Sequence, residues 1–174
     1  NPIEQEGTYP LPEAQLDRFL LQVDITYPTR DEERDILLAT TGAEDAVAEP
    51  VLDADALIGL QRLVRSMPVG DAVVEAIISL VRSARPGEPD GAAAATDRLA
   101  FGPGPRAAQS LMLAVRARAL LKGRLAPSID DLHALARPAL VHRMALTFAA
   151  RAEGASLEEV IDALVEATAL ERAA

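Results

Sequence analysis

The sequence predicts a mainly α-helical chain with a short strand-and-loop segment at its N-terminal end. Hydrophobic residues make up 49% of the 174 positions but aromatic residues only 3%, so alanine, leucine and valine carry most of the apolar content. Alanine and leucine rank high in helix propensity. Apolar residues also recur at intervals of three or four along most of the chain, which is the period of one helix face. The length suits one ordinary domain with an appendage.

Charge and residue content argue against several classes of function. The net charge is −10 and the arginines are scattered, whereas nucleic-acid binders usually present a basic face to the phosphate backbone. The chain has no cysteine, so disulfides and thiolate metal sites are excluded. No apolar run reaches the ~18 residues that a membrane span needs. These features suit a cytoplasmic protein that does not bind nucleic acid.

A strand followed by a capped helix is predicted early in the chain. Apolar and polar residues alternate over 19–26, the pattern of a half-buried strand. Such a strand needs hydrogen-bonding partners, and we expect upstream strands to complete its sheet. Thr29 and Glu32 form a capping box, which opens a helix that reaches about Thr41.

Two further helices are predicted over 53–67 and 71–85, with Pro68 between them. The short turn predicts that they pack as an antiparallel pair. The apolar stripes expected to face inward are Leu57, Leu60, Val64 and Met67 in the first helix, and Val74, Ile77, Ile78 and Val81 in the second.

The stretch 86–104 is irregular and rich in proline and glycine. Loops of this length are usually functional or disordered, and we expect a mobile first half and an ordered second half. Pro105 then fits the first position of a long helix that ends near Lys122. Arg106 lies in the first turn, beside free backbone N–H groups that attract anions. Local features leave anion binding and pairing with the acidic surface as equal alternatives.

Capping boxes predict the starts of the last two long helices. Ser128 pairs with Asp131, and Ser156 pairs with Glu159. Pro138 predicts a kink or a restart in the first of these helices. The last helix is amphipathic and could pair with another chain, but packing on its own domain is the favoured interpretation.

Residues 1–19, NPIEQEGTYPLPEAQLDRF, follow neither the helix nor the strand period, and composition alone favours a surface loop with a short turn. This string closely resembles the signature loop of the MoxR family of AAA+ ATPases. Three later motifs are also similar to that family: Pro-Arg at 105–106, Lys-Gly-Arg at 122–124 and Leu-Val-His-Arg at 140–143. Gly104 departs from the family's usual serine.

The resemblance implies roles for three residues. Asn1 corresponds to the sensor-1 residue that orients the attacking water, and Arg18 corresponds to the arginine finger that enters the neighbouring subunit's nucleotide site. A planar guanidinium can bond the charge that develops during phosphoryl transfer, and a well-placed finger is worth roughly three to five orders of magnitude in rate. Arg106 corresponds to the sensor-2 arginine that contacts nucleotide phosphates, in cis or in trans.

The resemblance also implies an architecture and partners. Residues 1–28 would be the edge of the AAA+ core, 29–50 a linker helix and linker, and 51–174 the helical lid with a C-terminal amphipathic helix. The intact protein would hydrolyse ATP in a homo-oligomeric, hexameric ring, with Mg²⁺ held by residues outside this chain. Family members act as chaperone-like remodelers, some with partners that carry von Willebrand factor A domains.

Several catalytic patterns are missing from the sequence. It has neither a Walker A string nor an apolar strand that ends in Asp-Glu, so we expect a segment of a longer protein that does not hydrolyse ATP alone. His133 and His142 have no partner at metal-ligand spacing, which favours structural hydrogen bonds. Two alternatives remain open. One is a stand-alone helical interaction module that uses the 53–85 helices or the tail. The other is a DNA-remodelling motor.

Overall fold

A computed structural model describes residues 11–42 and 47–171. These residues belong to two compact units, one of 11–22 with 64–171 and one of 23–42 with 47–63. The prediction of a mainly helical chain is confirmed, because helices account for most of both units.

The elements of the larger unit are mostly helices joined by short turns. In chain order they are α1 (Glu13–Leu16), α4 (Asp71–Ser83), α5 (Ala93–Arg98), β1 (Leu99–Phe101), α6 (Pro105–Leu121), α7 (Ile129–Leu140), a 3₁₀ helix (Val141–Arg143), β2 (Ala145–Leu146), α8 (Phe148–Ala152) and α9 (Leu157–Glu171). The smaller unit contains α2 (Arg30–Thr40) and all but the last turn of α3 (Ala54–Ser66).

One hydrophobic core holds the larger unit together. It lies where α4, α6, α7 and α9 pack against one another. Burying one large apolar side chain contributes roughly 1.5–3 kcal/mol, so this cluster is the main source of stability in the unit. Its largest fully buried members are Ile77, Leu80, Leu111, Leu132, Leu140, Ile161 and Leu164.

A small antiparallel sheet closes one side of this unit. Leu99 of β1 lies opposite Leu146 of β2, and Phe101 lies opposite Ala145, with an irregularity between the two pairs. The Thr147 amide extends the contact by donating to the Arg98 carbonyl at 2.8 Å. Both strands are too short to show an alternating pattern, so the sequence did not predict them.

The irregular stretch 86–104 is more ordered than expected. It contains α5 and β1, and Ala95 is fully buried. Gly102 passes so close to the end of α4 that an added Cβ would lie 2.1 Å from the carbonyl oxygen of Ala84. Only glycine fits there, and this close approach fixes the chain as it enters α6.

The predicted helix starts agree with the structure. Thr29 and Glu32 form both halves of the capping box that opens α2, with Thr29 N donating to Glu32 Oε2 at 2.7 Å. Ser156 and Glu159 exchange the equivalent pair of bonds, each of 3.2 Å. Pro105 occupies the predicted first turn of α6. Local hydrogen bonding therefore fixed these boundaries.

Three predictions about elements are met in part or not at all. Residues 19–26 form no strand, and no strand among the described residues pairs with them. Ile77 and Val81 of α4 are buried as predicted, but Ile78 is 41% exposed, and Val73 and Leu80 are buried in addition. Helix α7 runs to Leu140 without the restart expected near Pro138, and the 3₁₀ helix begins at Val141, whereas the kink stays a prediction.

The described part of the smaller unit has no buried core. Every described residue of 23–42 and 47–63 is exposed, including the predicted inward-facing Leu57 and Leu60 of α3. The burial predicted for this stripe therefore fails for Leu57 and Leu60, whereas Val64 is half-buried and Met67 is buried in the larger unit.

Candidate functional site

The candidate site begins with a short turn of chain that presents Arg18. Helix α1 is one turn long, and the Pro12 carbonyl accepts bonds from the amides of Gln15 and Leu16. The Arg18 amide then donates to the Gln15 carbonyl at 3.1 Å. Proline sets the dihedral angle before the turn, so local sequence accounts for this shape.

The Arg18 side chain is exposed and borders a shallow depression that Ala14, Gln15 and Phe19 also line. Within the described residues it has no acidic partner. Its neighbour Asp17 could have neutralised it, but that carboxylate is engaged by two other arginines. Among the described residues, the exposed guanidinium of Arg18 therefore keeps its charge available to an anion.

Asp17 joins Arg18's segment to two distant arginines. Its Oδ1 accepts from Arg143 Nε, and its Oδ2 accepts from Arg106 Nη1, both at 3.1 Å. Arg106 is 89 residues away along the chain and Arg143 is 126 residues away. One carboxylate thus brings the first turn of α6 and the 3₁₀ helix to the residue that precedes Arg18.

Most N–H donors of the Arg106 guanidinium remain available for an anion among the described residues. Its side chain is 51% exposed, and Asp17 takes one of its terminal nitrogens. Gly104 at the N-cap supplies no side-chain bond to the first turn of α6. Pro105 has no N–H, and the Ala107 amide donates to the Gly104 carbonyl at 3.1 Å. The half-exposed Arg106 guanidinium is therefore the group here that suits a phosphate or carboxylate.

Arg143 is the buried member of this cluster, with its side chain 1% exposed. Its guanidinium donates to the backbone carbonyls of Asp17 at 3.1 Å and Leu20 at 3.3 Å, and to those of Phe19 and Ala139. It also donates to Ser110 Oγ at 2.9 Å. Burial lowers the pKa of Arg143, while the Asp17 carboxylate opposes that shift.

His142 also contacts the loop, because its Nε2 lies 3.3 Å from the Phe19 carbonyl. Burial lowers the pKa of His142, and the neighbouring Arg143 charge lowers it further. A neutral ring that donates from Nε2 fits the predicted structural role. The predicted partner of His133 is not found among the described residues, where its Nε2 is buried and unpaired. No described cluster of side chains could hold a metal ion.

The structure thus places two of the three predicted site residues in one cluster. Arg18 and Arg106 are brought together through Asp17, whereas Asn1 lies outside the described residues. Sequence reasoning missed Asp17 and Arg143 as members of the site. The signal that could have revealed Arg143 was the Leu-Val-His-Arg motif, although nothing local in it indicates a contact 126 residues away.

Comparison with protein families identifies two parts of the chain. Residues 91–164 match the AAA lid domain, and residues 1–21 match the ATPase family associated with various cellular activities. The helical unit around α6 and α7 is therefore a lid domain of the AAA class.

Similar proteins indicate which family within the AAA class this chain resembles. The chain is 36% identical to Chaperone MoxR1 of Mycobacterium tuberculosis, covering 98% of this chain and 45% of that protein. It is 38% identical to the uncharacterized protein YeaC of Bacillus subtilis, covering 96% and 50%. A solved structure of a provisionally assigned ATPase from Cytophaga hutchinsonii superimposes with a TM-score of 0.88 at 28% identity, covering 95% of this chain and 51% of the other.

These findings show that the chain belongs to the MoxR family of AAA+ ATPases. It spans about half the length of the curated relatives it matches. No helix in the described ranges is long and apolar enough to cross a membrane.

Proposed function

We propose that this chain supplies the arginine finger and the lid of an ATP hydrolase that assembles as a homo-oligomeric, hexameric ring. The observation that carries the proposal is the exposed Arg18, which has no acidic partner among the described residues because Asp17 is bound by Arg106 and Arg143. Mg²⁺ is held by residues outside this chain, and ATP is bound by such residues together with Arg106. Residues 1–28 form the edge of the ATPase core, 29–50 the linker, and 51–174 the lid.

Arg18 acts on the nucleotide of the adjacent subunit. Phosphoryl transfer spreads negative charge over the transferred group, and a planar guanidinium can bond it through two donors. An exposed arginine that has no acidic partner among the described residues fits that role better than a surface ion pair. Asn1 orients the attacking water in the chain's own site.

Arg106 contacts a nucleotide phosphate from the lid, in cis or in trans. Its guanidinium lies 3.1 Å from the carboxylate of Asp17, the residue before Arg18. The half-exposed Arg106 can exchange Asp17 for a phosphate oxygen, because a single bond holds it.

The work driven by hydrolysis is chaperone-like remodelling or maturation of a partner protein in the cytoplasm. The relative Chaperone MoxR1 supports this class of activity by its name, and a protein with a von Willebrand factor A domain is the expected partner. The chain by itself does not hydrolyse ATP, since its sequence has neither a Walker A string nor an Asp-Glu strand end.

A second candidate function is a helical module that binds another protein without any ATPase role. The observation that favours it is that every described residue of 23–42 and 47–63 is exposed, among them many large apolar side chains. Such a surface suits a protein partner, whether a separate protein or another part of a longer chain.

The test of the main proposal is Arg18→Ala in the full-length protein. We expect ATP turnover to fall by about 10³-fold or more, with ATP binding retained, because the missing group belongs to a neighbour's site. Arg151→Ala, which removes another exposed arginine of the same unit, is the matched control and keeps full turnover. Wild-type turnover in Arg18→Ala would reject the assignment and favour the binding module.

A further inference from the structure

We propose that Arg143 is a positioning residue for ATP hydrolysis, which fixes Arg18 by holding the backbone on both sides of it. The inference rests on the proposed function, because it assigns Arg143 an effect only through Arg18. Arg143 cannot touch a nucleotide itself, since its side chain is 1% exposed.

The hydrogen bonds of Arg143 bracket the candidate finger. Its guanidinium donates to the carbonyl of Asp17, one residue before Arg18, and to the carbonyls of Phe19 and Leu20 after it. It also holds the Asp17 carboxylate through Nε at 3.1 Å. The backbone that carries Arg18 is therefore bonded on both sides to one rigid, planar group.

The same guanidinium ties this segment to the helical core. It donates to Ser110 Oγ of α6 at 2.9 Å and to the Ala139 carbonyl of α7. A second link lies nearby, where the Gln22 amide donates to the Pro138 carbonyl at 2.8 Å. The position of Arg18 is thus set by α6 and α7, which are lid helices, and not by its own one-turn helix alone.

Only arginine has the donors that this arrangement uses. A guanidinium offers five N–H donors in a fixed plane, whereas a lysine ammonium offers three around one point. A displacement of about 1 Å at a catalytic group can cost about 10²-fold in rate. Replacing the guanidinium by an ammonium should therefore lower the rate of ATP hydrolysis even when the charge and the fold are retained.

The experiment compares Arg143→Lys with wild type in the full-length protein. We expect kcat for ATP to fall by about 10–100-fold while KM stays within about twofold, because the nucleotide's own binding groups are untouched. In an Arg18→Ala background, Arg143→Lys should lower the residual rate no further, since the group that it positions is already gone.

The matched control is Arg124→Lys. Arg124 makes a comparable bidentate contact with the buried Asp131 in the same unit but is not bonded to the Arg18 segment. An equal loss of kcat in Arg124→Lys would show a general effect of lid stability and overturn the proposal, as would wild-type kcat in Arg143→Lys or an added loss in the Arg18→Ala background.

A milder variant keeps the test decisive if Arg143→Lys fails to assemble. Ser110→Ala removes one neutral hydrogen bond from the guanidinium and should lower kcat by about 2–5-fold at unchanged KM. Unchanged kcat in that variant would then overturn the inference. If Arg18→Ala abolishes turnover and the Arg143 and Ser110 variants do not reduce it, the proposed function stands and only the positioning role fails.

Discussion

The two compact units of the chain bury their side chains to very different extents. The larger unit places α4, α6, α7 and α9 around one core with fully buried leucines and isoleucines. In the smaller unit every described residue is exposed, and Ile25 reaches 93%. Both units contain helices, so the difference shows that local signals can define helices whose described residues are all exposed within their unit.

Local capping explains how helices are specified in the smaller unit. Thr29 caps α2, and Asp53 Oδ1 accepts from the Ala56 amide at 2.7 Å at the start of α3. Caps contribute about 1 kcal/mol each, whereas most helical stability in proteins comes from packing of an apolar face. Leu57 and Leu60 of α3 are thus apolar side chains that the described part of their unit leaves exposed.

The largest expected effect is a difference in the free energy of unfolding between matched substitutions in the two units. Leu111→Ala opens a cavity in the core around α6, where Leu111 is fully buried, and should reduce the free energy of unfolding of the chain by about 2–5 kcal/mol. Leu57→Ala in α3, where the side chain is 50% exposed, should change it by less than about 0.5 kcal/mol. Denaturant titration measures both changes. Similar losses of unfolding free energy in the two variants would contradict the difference in burial between the units.

A smaller effect concerns acid stability of the larger unit. Arg124 donates two bonds to the buried Asp131 and holds the pKa of that carboxyl down at about 2. Because the folded pKa lies below the unfolded value near 4, the stabilisation is present above pH 4 and is lost as the pH falls from about 4 to about 2.

The stabilisation lost at acidic pH is expected to be about 2 kcal/mol, because folding lowers the pKa of Asp131 from 3.8 to about 2. Asp131→Asn should be less stable than wild type at pH 6, and the gap should close as the pH approaches 2. Denaturant titrations at pH 6, 4 and 2.5 test this. A gap that does not change with pH would mean that the Arg124 pair does not stabilise the charged carboxyl.

The sequence predicted local features of the fold better than long-range ones. The capping boxes at Thr29 and Ser156 and the proline start of α6 depend on residues within one turn of each other, and the structure contains all of them. The β1–β2 pair joins Leu99 to Leu146 and leaves no periodic signal in either strand. The strand predicted over 19–26 is not found in the described residues. Its partners were expected upstream of this sequence, and alternation cannot show whether a partner strand is present.

The same limit applies to the candidate site. Arg18 and Arg106 could be named through their motifs, but their proximity through Asp17 could not, since 89 residues separate the two partners of that bond. Arg143 was part of a recognised motif, yet apart from the Ala139 carbonyl its hydrogen-bond acceptors are groups that only the folded chain brings within reach. Which arginine is buried and which remains available to an anion depends on packing around α6 and α7.

Mixed rings test most directly the claim that Arg18 acts on a neighbour's nucleotide. Full-length Arg18→Ala subunits keep an intact nucleotide pocket, and subunits disabled in the phosphate-binding loop keep an intact Arg18, so each variant alone should be inactive. Mixing them creates interfaces in which a working pocket faces a working Arg18, and we expect ATP turnover to reappear at up to about a quarter of the wild-type rate if subunits assort at random in equal amounts. Mixed rings that stay as inactive as either parent, while assembly and ATP binding are intact, would contradict the account.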